Sequence, residues 1–199
     1  MESLSREVRT AWVAVRAVVV FTVLVVAYTF LVTGLGQWWF PGQANGSVVR
    51  DAAGRIVGSQ LIGQSFTDSA GNPLPQYFQS RPSAYGYDGA HSGGTNLGPD
   101  NPDLVAAIEA RRTAIATFNG VAPDAVPPDA LTASGSALDP DISPAYAAIQ
   151  VNRVAEIRHL TTADVQSLVA AYTTPRDLGY MGEPRVNTLL LNLALDRKG

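Results

Sequence analysis

Hydrophobic and polar positions divide this chain unevenly. From Ala17 to Gly36 the run AVVVFTVLVVAYTFLVTGLG carries no Asp, Glu, Lys or Arg, and the next charge after Arg16 is Arg50. About 20 apolar residues, at about 1.5 Å of rise each, cover the ~30 Å of bilayer hydrocarbon, and only a helix satisfies its own backbone there. The pattern predicts one transmembrane helix. Trp38, Trp39 and Phe40 follow directly, as amphipathic rings do at the headgroup level, and Pro41-Gly42 ends the helix. Arg16 sits just inside the opposite end, where its stem lets the guanidinium snorkel to the phosphates. A cleaved signal peptide is the rival. Its apolar core runs to only ~7–15 residues, shorter than this run.

Beyond Phe40 the pattern is that of a soluble domain. Short apolar runs at Ser47–Arg50 and Arg55–Ile62, around Asp51-Ala-Ala-Gly54, predict a β-hairpin. Gly63 to Asn101 has no sustained period and is crowded with Gly, Pro, Ser and Asn, yet it interleaves Tyr77, Phe78, Tyr85 and Tyr87. The aromatics argue for order, and long ordered loops are where function concentrates. Asn101-Pro102-Asp103 starts a helix to about Phe118 that places Leu104, Ile108, Ile115 and Phe118 on one face and Glu109, Arg111 and Arg112 in water, with Gly120 closing it. Ser143-Pro144 opens a second helix to about His159, and Thr161-x-x-Asp164 opens a third whose stripe is Val165, Leu168, Val169 and Tyr172. The alternation of Leu189, Leu191, Leu193 and Leu195 predicts a C-terminal strand that joins the hairpin in one sheet. The fold class expected is a single N-terminal transmembrane helix followed by one α+β soluble domain with about three helices and long ordered loops.

Charge sets the expected orientation. Arg6, Arg9 and Arg16 precede the span, and no positive charge follows it before Arg50. The positive-inside rule therefore makes residues 1–40 a cytoplasmic tail plus membrane anchor and residues 41–199 an extracytoplasmic domain. Past Phe40, eleven Lys and Arg face fifteen Asp and Glu, a formal −4 that argues against a nucleic-acid groove. Cysteine is absent and only His91 and His159 are present, so thiolate and histidine-rich metal centres are excluded.

Few residues suggest chemistry. Ser92-Gly93-Gly94-Thr95-Asn96 could offer backbone N–H groups to an anion if its glycines take positive φ, and its first three residues resemble the signature loop of ABC ATPases. A plain turn is the competing reading, and no Gly-Lys-Ser/Thr follows to make a P-loop. Arg81, on a Pro-restricted loop, suits either an internal salt bridge or a carboxylate or phosphate partner. Ser134 and Ser136 lie outside a Gly-x-Ser-x-Gly frame, so turn and helix-entry roles compete with a membrane-tethered serine hydrolase. Gln150 and Arg153 stand one turn apart on the second helix, by default on its solvated face, and His159 is placed to cap that helix. Glu183 and Arg185 are positioned to pair in the turn before the last strand. A free-standing solute-binding module is a further alternative.

In order along the chain, the N-terminal span, Val57-Gly-Ser-Gln-Leu-Ile-Gly-Gln64 with Phe66, Tyr77-Phe78, Arg81-Pro-Ser-Ala84, Ser92-Gly-Gly-Thr-Asn-Leu-Gly-Pro99, Thr132-Ala-Ser-Gly-Ser136, Leu138-Asp-Pro140, Gly182-Glu-Pro-Arg-Val-Asn187 and Leu191-Asn-Leu-Ala-Leu-Asp196 resemble the C-subunit family of bacterial Kdp potassium-transporting ATPases. The resemblance implies a non-catalytic accessory subunit in the bacterial plasma membrane. Its expected partners are a channel-like potassium-binding subunit, a P-type ATP-hydrolysing subunit and a very small membrane peptide. The chain has no Asp-Lys-Thr-Gly-Thr phosphorylation segment of its own. The resemblance also implies a catalytic chaperone that raises the pump subunit's ATP affinity, with a glutamine proposed to contact nucleotide. Gln150, with Arg153, is the matching position, and Ser92, Gly93 and Gly94 are the other candidates. No cofactor is expected on the chain alone, with ATP entering through the ATPase subunit. An extracytoplasmic domain cannot reach cytoplasmic ATP, so coupling would pass through subunit packing. Arg81, Thr95, Asn96, Tyr77 and Phe78 are the expected partner face, and Arg16, Trp38 and Trp39 the membrane contacts. Two segments depart from the family pattern, Asp141 after Leu-Asp-Pro and Tyr172-Thr-Thr-Pro-Arg176, and both weaken a role for a histidine in that region.

Overall fold

The computed structural model describes residues 2–198, which form two compact units dividing between Ser47 and Val48. In the first, α1 (Glu2–Trp39) is one uninterrupted helix. Its 38 residues span about 57 Å, more than the hydrocarbon thickness requires. Residues Arg6–Trp39 are the one stretch, among the described residues, long and apolar enough to cross a membrane. Phe21, Leu24 and Phe30 are exposed, the state expected of side chains whose solvent is lipid. Thr29, one of the hydroxyls within the apolar run, donates to the Val25 carbonyl at 2.8 Å and so satisfies its own donor within the helix. Pro41 ends α1 as its sequence predicts, but the chain re-enters a single helical turn, α2 (Pro41–Ala44), with Pro at its first position.

The second unit begins with the hairpin β1 (Val48–Arg50) and β2 (Ile56–Ser59), antiparallel with an irregularity after Val49. Asp51 organises its turn by accepting from the Ala53 and Arg55 amides, each at 2.9 Å. No helix or named strand follows until α3 (Pro102–Asn119), where the Asn101 side chain accepts from the Asp103 amide and Gly120, at φ +63°, closes the far end. A 3-10 turn at Pro123–Ala125 leads to α4 (Pro128–Leu131), β3 (Asp141–Ile142) and α5 (Pro144–Ile157), capped by Ser143. Next come α6 (Thr162–Ala171) under its Thr161 cap, β4 (Thr173–Thr174), β5 (Arg185–Asn187) and α7 (Thr188–Asp196). The last strands form an antiparallel sheet in the order β3-β5-β4, separate from the hairpin. The core lies where Val151, Val154, Val165, Val169, Val186, Leu191 and Leu195 meet.

The fold class is the expected one, an N-terminal apolar helix with an α+β domain, but three details differ from the sequence reading. The leucine-rich C-terminus is the helix α7 and not a strand. Thr188, Leu191, Asn192 and Leu195 are buried at spacings of three and four, which is a helical face, and Asn187 caps it by accepting from the Leu190 amide at 3.1 Å. The hairpin consequently stands as its own two-stranded sheet. Arg111, placed in water by pattern, is half-buried and donates to the Leu131 carbonyl at 2.8 Å, tying α3 to α4.

Candidate functional site

The long loop between β2 and α3 is the candidate site, and its order comes from side chains reaching it from both flanks. Phe78 and Gln79 are consecutive in this loop, and their backbone polar groups are taken up by two different helices. On one side the Asn192 amide of α7 accepts from Phe78 N–H at 2.8 Å and donates to Phe78 C=O at 2.9 Å. On the other, the Gln150 amide of α5 accepts from Gln79 N–H at 2.7 Å and donates to Gln79 C=O at 3.2 Å. Two primary amides thus satisfy both backbone polar groups of two successive loop residues.

Cations complete the clamp. Arg153 donates from Nη1 to the Pro75 carbonyl and, at 3.0 Å, to the Tyr77 carbonyl, from Nη2 to Gln150 Oε1 at 2.9 Å, and from Nε to Asn119 Oδ1 at 2.9 Å. Its guanidinium also lies 4.4 Å from the Phe118 ring centre. Only 8% of Arg153 is exposed and no ion pair to a carboxylate is among its contacts, so burial pulls its pKa down to about 10. It is charged at neutral pH and held by carbonyl dipoles. Arg158 donates to the Gln76 carbonyl at 2.7 Å, pairs with Asp196 at 2.7 Å and stacks over Tyr77.

The outer part of the loop is fixed against the Thr132–Asp139 segment. Arg81 pairs with Asp139 at 2.7 Å, the internal bridge that was one of its two readings. Ser83 donates to the Ala137 carbonyl at 2.7 Å, and Gly93 N–H and Ser92 Oγ both reach the Ser136 carbonyl. Gly63 lets the chain cross here, because a Cβ would strike the Tyr87 ring and sit 2.7 Å from the Asp139 carbonyl oxygen. Burial of Tyr87 pushes its phenol up to about 12, and its hydroxyl donates to Arg81 C=O at 2.6 Å. Asp141, beside this segment, has its pKa raised by burial and by the charge of Asp139, against the lowering effect of Arg185.

Several expected placements change. Gln150 and Arg153 are not on a solvated face: Gln150 is 0% exposed and its amide is used by Gln79 and Arg153. Phe78, expected at a partner face, is in the core, while Tyr77 is half-buried with its hydroxyl on Asp196. Gly93 and Gly94 do not adopt positive φ, and the Gly93 N–H is already donated, so the anion nest does not form there; Asn96 takes the left-handed conformation instead, at φ +54°. Thr95 and Asn96 are exposed. Ser134 and Ser136 hydroxyls lie 3.4 Å from each other, and Ser136 Oγ accepts from Leu138 N–H, so both serve the turn. His159 ends α5 at φ +55°, its N–H donated to Glu156 and that of Leu160 to Ala155. Glu183 pairs with Arg176, whereas Arg185 faces Asp141 and Asp177. At the span, Arg16 lies 5.0 Å over the Trp12 ring, and Trp38 stacks on Trp39 at 5.8 Å.

The family model described as the c chain of the K+-transporting ATPase, KdpC, matches residues 11–197. The chain belongs to the KdpC family. It is 50% identical over 194 residues, 96% of this chain and 92% of the relative, to the potassium-transporting ATPase KdpC subunit of Gemmatimonas aurantiaca. It is 51% identical over 174 residues, 86% and 88% of the two chains, to that of Methylococcus capsulatus, and 50% identical over 182 residues, 89% and 88%, to that of Caulobacter vibrioides. The KdpC match takes in the apolar helix and the clamped loop alike, and it places the chain in a potassium-transporting ATPase as a subunit with membrane-associated character. ATP use belongs to that complex. Among the described residues no group of three His, Cys, Asp or Glu is set to hold a metal.

Asn192, Gln79 and Arg158 of this KdpC-family chain, which carry much of the clamp, were not singled out by sequence. The one available signal was a lone Asn inside Leu189–Leu195, a polar residue in an apolar run that must find a partner if buried.

Proposed function

We propose that this chain is the single-pass, extracytoplasmic accessory subunit of its ATPase, stabilising the complex by docking the outer surface of the loop from Gly63 to Asn101 on the channel-like subunit. The observation that carries this is the clamp: Gln150, Arg153, Arg158 and Asn192 hold residues 75–79 as one rigid piece. A preorganised surface binds without a large ordering cost. Thr95 and Asn96 then meet the partner directly, and Arg81 positions the segment that carries them.

An effect on the ATP affinity of the P-type subunit follows through subunit packing, since Gln150 spends its amide inside the domain. Co-purification from native membrane in mild detergent tests the assignment: the chain should migrate with the larger ATPase subunits. Removing it from the complex should raise the KM for ATP. A chain that migrates alone overturns the proposal.

A further inference from the structure

The chain does not run out straight from the end of α1. Phe40 N–H donates to Gly36 C=O at 2.9 Å, Ala44 N–H to Phe40 C=O at 2.9 Å and Ser47 N–H to Gly42 C=O at 2.8 Å, while the Asn45 side chain reaches back to Gln37 Oε1 at 2.9 Å. Val48, the next residue and the first of β1, therefore lies no more than about 18 Å from Phe40. The hairpin starts at the membrane surface. Of its two faces, one carries the paired Val49 and Gly58 and packs on α7, where a Cβ on Gly58 would lie 3.1 Å from the Leu189 side chain. The other carries Val48, Arg50 and Ile56, and the domain leaves it uncovered, with Val48 45% and Ile56 59% exposed.

Charge on this hairpin runs against that of the domain. From Phe40 to Thr67 the only acid is Asp51, against Arg50 and Arg55, although the residues beyond Phe40 carry a net −4. Asp51 and Arg55 pair at 2.7 Å, but the pair is turned: the Asp51 side chain is 16% exposed and accepts from the Ala53 and Arg55 amides, whereas that of Arg55 is 80% exposed. Arg50 donates to the Gly54 carbonyl at 2.9 Å and, among the described residues, pairs with no carboxylate. The edge therefore shows cations outward.

We propose that this outer face rests on the membrane surface, with Val48 and Ile56 at the acyl boundary and the Arg50 and Arg55 guanidiniums on anionic phospholipid headgroups; this rests on α1 being a membrane span. Two observations choose lipid: the short folded tether keeps the bilayer within reach, and apolar side chains flanked by outward cations match an anionic interface. A weak contact suffices, because the span already confines the hairpin there. It limits rotation of the domain about its tether and so lowers the ordering cost of docking.

The test uses the full chain in lipid nanodiscs of phosphatidylcholine, with or without phosphatidylglycerol. The chain has no cysteine, so Ile56→Cys takes a single nitroxide label. With phosphatidylglycerol the label should meet lipid-soluble oxygen and lose contact with a water-soluble nickel chelate. Arg50→Gln and Arg55→Gln should each lower the ratio of immersed to free label by about fivefold, with an unchanged melting temperature. A label open to nickel in both discs, or equally immersed without anionic lipid, overturns the proposal. A label shielded from both probes places protein, such as a second copy of the chain, on this face and overturns it too. A chain that does not enter the discs takes down the span reading and the hairpin contact with it.

Discussion

Among single residues, the buried amides and Arg153 matter most, because Gln150 and Asn192 each pair both backbone polar groups of one loop residue and Arg153 gathers the Pro75 and Tyr77 carbonyls. Gln150→Ala strands the Gln79 N–H and C=O and one Arg153 donor, and should cost about 2–4 kcal/mol in denaturant unfolding. Asn192→Ala acts on the adjoining residue of the same loop, so the double variant should lose less than the sum of the two. If Gln150→Ala changes the ATP dependence of the assembled pump, that change should scale with lost stability across substitutions. A change at full stability would instead mark direct nucleotide contact. Arg153→Lys should destabilise nearly as much as Arg153→Met, since an ammonium cannot reach Pro75, Tyr77, Asn119 and Gln150 from one plane. Asp141 gives a pH signature. Its folded pKa is raised, so its contribution to stability is complete below the unfolded value of 3.8 and declines as pH rises through the folded one. Asp141→Asn should therefore flatten the melting temperature against pH above about pH 4 and raise it at neutral pH.

At the scale of elements, what could be read from sequence is local and what could not is distant. The caps Asn101, Ser143 and Thr161 and the terminator Gly120 act within a few residues of themselves, and the helices they bound are where pattern put them. The hairpin was legible for the same reason, its turn being closed by Asp51 on its own neighbours. Leu189–Leu195 misled because leucine at nearly every position fits a period of two as well as one of 3.6, and the deciding signal was the Asn187 cap just before it. The pairing of Gln150 and Arg153, one turn apart, is legible in the sequence but their burial is not, since the loop groups they bind lie 71 or more positions away and carry no local mark. The same distance effect makes Gly63 consequential. Gly63→Ala drives a methyl into Tyr87 and the Asp139 carbonyl, and should detach the loop's outer half from the Thr132–Asp139 segment, by about 1–3 kcal/mol, seen as faster amide exchange at Gly93.

For the whole molecule, the question is whether the apolar helix is only a tether. The core cluster of the second unit draws its residues from Phe78 to Leu195, and the chain divides between Ser47 and Val48. A fragment starting at Val48 should accordingly be soluble and unfold cooperatively with a melting temperature near that of the domain in the full chain. It should not support pump assembly at cellular concentration, because a membrane anchor turns docking into a local event with an effective concentration in the millimolar range. Concentration then separates two roles for the span. If assembly returns when the fragment is supplied at about millimolar concentration, the helix acts by confinement and the domain holds the recognition. If it does not return, the helix contributes packing of its own against other membrane helices. Protease added to intact spheroplasts fixes the side on which this happens: the domain should be cut from outside the cell, as the arginines at positions 6, 9 and 16 require, and protection there with cleavage in inside-out vesicles would reverse the orientation and remove the docking geometry with it.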